Sequence, residues 1–242
     1  MRIFFALLGV GTLALAACQS SNKPTENLEK SFEQARVAED YTTAVALLTQ
    51  IATADTASSW ALDTLAFYQY FYQVTPGMVR NTKTPLYWVD KALERKPGNA
   101  FLLDMKAKLH LEEGKDTQSL AIFTELYQKS QDYTYYWDIA FIETARGNAP
   151  MADSMIAEAM KSADIANKTV RLENLQARVR EEVPANAAFM YLNALIYNGR
   201  GDMMAAAEAL QEALKIKPDF YAAQKGIYDL QRAAAQQMPA GR

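Results

Sequence analysis

The residues that could carry covalent or acid–base chemistry are few. The 242-residue chain has one cysteine, Cys18, and one histidine, His110, so disulfide frameworks, Cys/His zinc sites and histidine triads lack their parts. His110 falls in a helical run, at a position that suits a packed or surface side chain better than a catalyst. Glu112 and Glu113, like Glu181 and Glu182, are adjacent, and on a helix adjacent residues point about 100° apart. That is poor geometry for a pair of cooperating carboxylates. Gly199-Arg200-Gly201 reads as a helix end and turn, and no phosphate-cradling loop, metal motif or nucleophile elbow is present. The expectation is a protein without cofactor, metal or enzymatic activity.

Recognition chemistry is better represented. Trp60, Phe67, Tyr68, Tyr70, Phe71 and Tyr72 crowd one segment, and Tyr133, Tyr135, Tyr136, Trp137 and Phe141 another. A packed core and an exposed groove both account for such clusters. Half the chain is hydrophobic and Gly and Pro number only 10 and 8, a balance that fits one or two folded helical domains and no collagen-like or linker-like chain. With 25 Lys and Arg against 28 Asp and Glu, there is no basic surplus for counterion release, which excludes nucleic acid as the expected partner.

The first segment is separate from the fold. Met1 and Arg2 precede an apolar run from Ile3 to Ala17, the length of a signal-peptide core and too short to span a bilayer. It ends in Leu15-Ala16-Ala17-Cys18, which resembles the lipobox of bacterial lipoproteins. That resemblance implies cleavage after residue 17 and acylation of Cys18, with Gln19 next to it implying the outer membrane. Residues 18–25 then read as a polar tether, and the acyl chains hold a soluble domain to the bilayer.

The body of the chain repeats. From Ala187, an apolar helix carrying Met190, Ala194 and Tyr197 leads to Gly201, then to a second helix with Ala206, Leu210 and Ala213, closed by Pro218. The same order recurs from Tyr133, with Ala140, Gly147, Ala152 and Ile156, and from Ala100, with Ala107, Gly114, Ser119 and Phe123. A weaker copy near Thr25 has Glu39 in place of the turn glycine. Asp40, Asn99, Asp116, Asp202 and Asp219 stand where N-caps are expected, and Thr84 precedes Pro85 as a cap before a first-turn proline. The pattern resembles the tetratricopeptide repeat (TPR), a helix-turn-helix unit of about 34 residues, and implies an all-α, right-handed solenoid over residues 26–236 with a C-terminal capping helix and a tail at 237–242.

Two stretches depart from the period. Residues 58–98 hold a good first helix and then a long loop from Val74 to Lys83. Between the units starting at 133 and 187 there are about twenty extra residues, where Leu172, Leu175, Val179 and Val183 step by 3, 4 and 4. That spacing predicts an additional helix, either inserted or half of a degenerate repeat.

In TPR proteins the first helix of each unit faces the concave groove. Carrying those positions over places Trp60, Phe67, Tyr70, Phe71, Phe101, Lys108, Trp137, Phe141, Tyr191, Leu195 and Asn198 on a partner-binding surface. The resemblances together imply a lipid-anchored adaptor for protein or peptide partners in the cell envelope, on the outer membrane and facing the periplasm. The alternative is a lipoprotein receptor for a small molecule or glycan in an uptake system.

Overall fold

The computed structural model describes residues 25–55, 58–72, 81–174 and 179–237; Cys18, the lipobox, loop residues 74–80, Leu175 and the 238–242 tail lie outside them. Five antiparallel helix pairs follow one another: α1 (Glu26–Val37) with α2 (Tyr41–Ala54), α3 (Ser59–Phe71) with α4 (Lys83–Arg95), α5 (Ala100–Glu112) with α6 (Asp116–Ser130), α7 (Thr134–Ala145) with α8 (Ala149–Ala159), and α9 (Ala185–Gly199) with α10 (Met203–Ile216). A last helix, α11 (Tyr221–Gln237), packs on α10. Each pair stacks on the next, which gives the TPR-like helical solenoid that the repeats imply. No helix among the described residues is long and apolar enough to cross a membrane.

Four of the five pairs turn through the same backbone device. Glu39, Gly114, Gly147 and Gly201 have φ of 56°, 70°, 80° and 80°. The amide that follows each one reaches back five residues: Asp40 to Ala35, Lys115 to His110, Asn148 to Glu143 and Asp202 to Tyr197, at 2.8–3.0 Å. This is the Schellman closure, which satisfies carbonyls that the helix end would leave bare. Glycine adopts the left-handed conformation freely, and Glu39 adopts it at a cost of roughly 1–2 kcal/mol. Because the turn is rigid, the second helix always begins at the same place. Five residues beyond each turn residue stands a fully buried small side chain, Ala44, Ser119, Ala152 or Ala206, where the paired helices approach.

Larger apolar residues fill the spaces between pairs. Leu48, Leu65, Leu102, Phe123, Phe189 and Phe220 are fully buried, each burial stabilising by about 1.5–3 kcal/mol. Three of the expected caps act as such: Asp40 accepts from the Thr43 amide, Asn99 from Phe101 and Leu102, and Asp202 from Ala205. The others are displaced by one or two positions. Asp116 is the first helical residue after Lys115, the helix at Pro85 begins after Thr82, and Asp219 lies just ahead of α11, paired with Lys217.

The extra segment between α8 and α9 is not a helix. After a short 3₁₀ turn (Ile165–Asn167) it forms an antiparallel hairpin, β1 (Thr169–Asn174) with β2 (Val179–Pro184), in which Thr169 faces Pro184 and Val170 faces Val183. The 3-4-4 apolar spacing misleads because a second, shorter period runs through it. Val170 and Leu172 alternate with Thr169 and Arg171, and Val183 alternates with Glu182, so β-branched residues bury one face of a pleated pair. Val170 and Val183 are 4% and 0% exposed and join the core of α7, α9 and α10.

The close crossings give a direct stability test. Ala152→Leu and Ala206→Leu are each expected to cost about 1–3 kcal/mol through overpacking, read as an earlier denaturant midpoint. A midpoint equal to wild type in both variants would contradict the shared register.

Candidate binding groove

The first helices of successive pairs, α3, α5, α7 and α9, together with α11, form the concave side of the solenoid. The hairpin crosses this side rather than projecting from it. At its far end, the Arg180 guanidinium lies 5.5 Å and 5.8 Å from the ring centres of Phe67 and Phe71 on α3, and those two rings stack at 5.7 Å. Such a cation–π contact is worth roughly 0.5–2 kcal/mol. Next to it, the Glu181 carboxylate accepts from the Tyr221 amide at 2.8 Å and the Ala222 amide at 3.4 Å. This caps α11 from 40 residues away, with a negative charge at the positive end of the helix. The hairpin thus ties the second pair to the last helix.

Below the hairpin a cavity of about 680 Å³ remains. Of the residues assigned to the groove from the sequence, Tyr70, Lys108, Trp137, Phe141, Tyr191, Leu195 and Asn198 line it. Four predicted groove residues do not. Phe67 and Phe71 lie under Arg180, Phe101 leans on Phe67 at 5.9 Å, and Trp60 packs on Phe32 of α1 at 6.1 Å. Phe67 and Phe71 are therefore covered by the protein itself, whereas Trp60 and Phe101 keep 41% and 39% of their surface exposed. Walls that the sequence reading missed come from the hairpin, through Arg171, Leu172 and Glu181, and from α11, through Lys225, Asp229 and Leu230. The alternation of Val170 and Leu172 was the available signal for the hairpin; nothing in the repeat pattern marks α11 as a wall.

Trp137 serves two purposes. Its side chain lines the cavity, yet the residue is only 8% exposed and its indole Nε1 donates to the Ala188 carbonyl at 3.0 Å. That bond joins α7 to α9 across the insertion, so the stack continues although the sequence is interrupted. Phe141 stacks on the indole at 5.4 Å. Burial raises the pKa of the Tyr191 hydroxyl on the same wall.

His110 and Glu113 make structural contacts at the end of α5. His110 sits at the α5 end, where burial and then the Lys106 and Lys115 charges lower its pKa, so it stays neutral. Glu113 accepts from Thr82 at 2.7 Å and pairs with Lys115 at 2.6 Å, tying the start of α4 to the α5–α6 turn. Among the described residues no cluster of His, Cys, Asp or Glu could hold a metal ion.

Neither a protein-family model nor a curated protein matches the sequence. Solved structures do. A tetratricopeptide repeat protein from Parabacteroides merdae superposes with a TM-score of 0.60 at 15% identity, over 88% of this chain and 74% of that one. A thermophilic TPR protein of Thermus thermophilus gives 0.55 at 14%, over 86% and 99%. YrrB, described as a TPR protein with an unusual peptide-binding site, gives 0.51 at 14%, over 82% and 89%. The fold is that of the TPR solenoids.

The double role of Trp137 separates stability from binding. Trp137→Ala is expected to lose about 3–5 kcal/mol of stability, whereas Asn198→Ala, exposed on the same wall, changes it by less than about 0.5 kcal/mol. Equal unfolding midpoints for the two variants would remove Trp137 from the core.

Proposed function

We propose that this chain is a lipid-anchored scaffold that binds protein or peptide partners in the bacterial cell envelope, and that it is not an enzyme. The observation that carries the reading is the cavity: the concave face of a TPR-like solenoid, floored by aromatic and apolar side chains from four successive pairs and closed by the hairpin and α11. The lipobox-like Leu15-Ala16-Ala17-Cys18 supports acyl anchoring. Gln19 favours the outer membrane, with the solenoid facing the periplasm. A second reading, a receptor for a small molecule or glycan, draws support from the hairpin. It narrows the groove to about 680 Å³, within the roughly 300–1,000 Å³ of small-ligand sites.

Crosslinking in cells, followed by isolation of the full-length lipidated protein, tests both parts. The expected result is one stoichiometric protein partner, lost on Leu195→Asp, which puts a charge into the apolar wall. Cys18→Ser is expected to leave the fold intact and release the protein from the membrane fraction. Capture of no protein, together with saturable binding of a sugar or small metabolite, would establish the receptor instead. Retention of Cys18→Ser with membranes after signal cleavage would refute the anchor.

A further inference from the structure

Arg180 is smaller than the aromatic surface on which it rests. Phe67 and Phe71, one turn apart on α3, have ring centres 5.7 Å apart and planes within 6° of parallel. The Arg180 guanidinium lies almost equally far from both, at 5.5 Å and 5.8 Å. A flat, weakly hydrated cation spans two such ring faces better than a compact ammonium does. The aromatic surface continues past it. Phe101 leans on Phe67 at 5.9 Å, and Trp60 stands two helical turns before Phe67 on the same face of α3. Both remain exposed. Arg180 therefore covers the centre of an aromatic platform and leaves Trp60 and Phe101 uncovered beside it.

The two ends of the hairpin are held differently. Its base is fixed, because Val170 and Val183 are buried in the core. Towards the other end, successive side chains of β2 point to opposite faces, and two neighbours take different partners. Arg180 takes the α3 rings, and Glu181 takes the Tyr221 and Ala222 amides at the head of α11. Lifting Arg180 from the rings leaves the base packed. It also moves a wall, since Glu181, Leu172 and Arg171 of the same hairpin line the larger cavity.

We infer that the α3 platform is an arginine-recognition site, held in the free protein by the chain's own Arg180, and that an arginine of the protein partner, flanked by apolar residues, takes its place. The group already seated there gives the occupant's chemistry, and the uncovered Trp60 and Phe101 give its flanks. A tethered ligand competes at an effective concentration on the order of millimolar. Lone cations are thus kept out, whereas a segment that also buries the two exposed aromatics gains the affinity to exchange. Exchange frees that end of the hairpin, so binding at α3 and access to the cavity become linked. The inference rests on the partner-binding reading above and names the chemistry of the bound segment.

Titration of the full-length protein with a blocked Leu-Arg-Leu peptide tests it, followed through the ring resonances of Phe67 and Phe71. Arg180→Ala removes the internal competitor and is expected to tighten binding about 2- to 30-fold, the weight of one cation–π contact. In the wild-type protein at saturation, nuclear Overhauser contacts from Arg180 to both rings should vanish. Phe67→Leu added to Arg180→Ala should cancel the gain, and a Leu-Lys-Leu probe should bind more weakly than the arginine one. Should Arg180→Ala unfold, the saturation experiment makes the same test on the unaltered chain. Equal or weaker binding by folded Arg180→Ala, Overhauser contacts that persist at saturation, equal affinity for the lysine probe, or no binding would overturn the exchange. A cellular partner captured equally well by Phe67→Leu would overturn it too while leaving the scaffold reading in place, and capture of no partner at all would count against that reading.

Discussion

Four of the five helix pairs depend on a fixed count: a left-handed residue at the turn, and a small buried side chain five positions later. The turn residue closes the first helix by a Schellman bond, as the Lys115 amide does to His110 and the Asp202 amide to Tyr197. That closure sets both where the second helix starts and which of its residues meets its partner. A large side chain there would push the pair apart, and the displacement would pass to every later pair in the stack. Glu39 shows the strength of the constraint, since the first pair keeps the left-handed turn without the residue that adopts it most easily.

Stacked pairs of this kind leave a concave face made of first helices, open along its length. In this chain the face is divided. The hairpin between α8 and α9 lies across it, with Arg180 over the α3 rings and Glu181 at the head of α11. The protein thereby covers the N-terminal part of its own groove and keeps the C-terminal part as a cavity. Trp137 makes the insertion tolerable, because its indole bonds α7 to α9 and the apolar stack passes beneath the hairpin.

Much of this was legible in the sequence, and the reasons are local. Gly114, Gly147 and Gly201, with Ala107, Ala140 and Ala194 seven residues earlier and a small residue five residues later, encode the pair without reference to the rest of the chain. The hairpin was not legible because Leu172, Leu175, Val179 and Val183 satisfy a helical period, while the alternation that competes with it spans only a few residues on each strand. The covering of Phe67 and Phe71 was out of reach for another reason. Aromatic density reports that a surface will be apolar, and whether a partner or a distant segment of the same chain covers it depends on a contact far away in sequence. Trp137 fell between categories, a core residue by burial and a wall residue by position. Lys225 and Asp229 become groove walls because α11 packs on α10 and is capped by Glu181, tertiary contacts that no repeat pattern records.

The division of the groove is the central claim, and nuclear Overhauser contacts between the Arg180 side chain and the rings of Phe67 and Phe71 in the free protein measure it most directly. Cross-peaks from Arg180 to both rings are the predicted result. Their absence from a spectrum in which Arg180 and both rings are assigned would place the hairpin off the concave face, and would restore an open groove running the length of the solenoid.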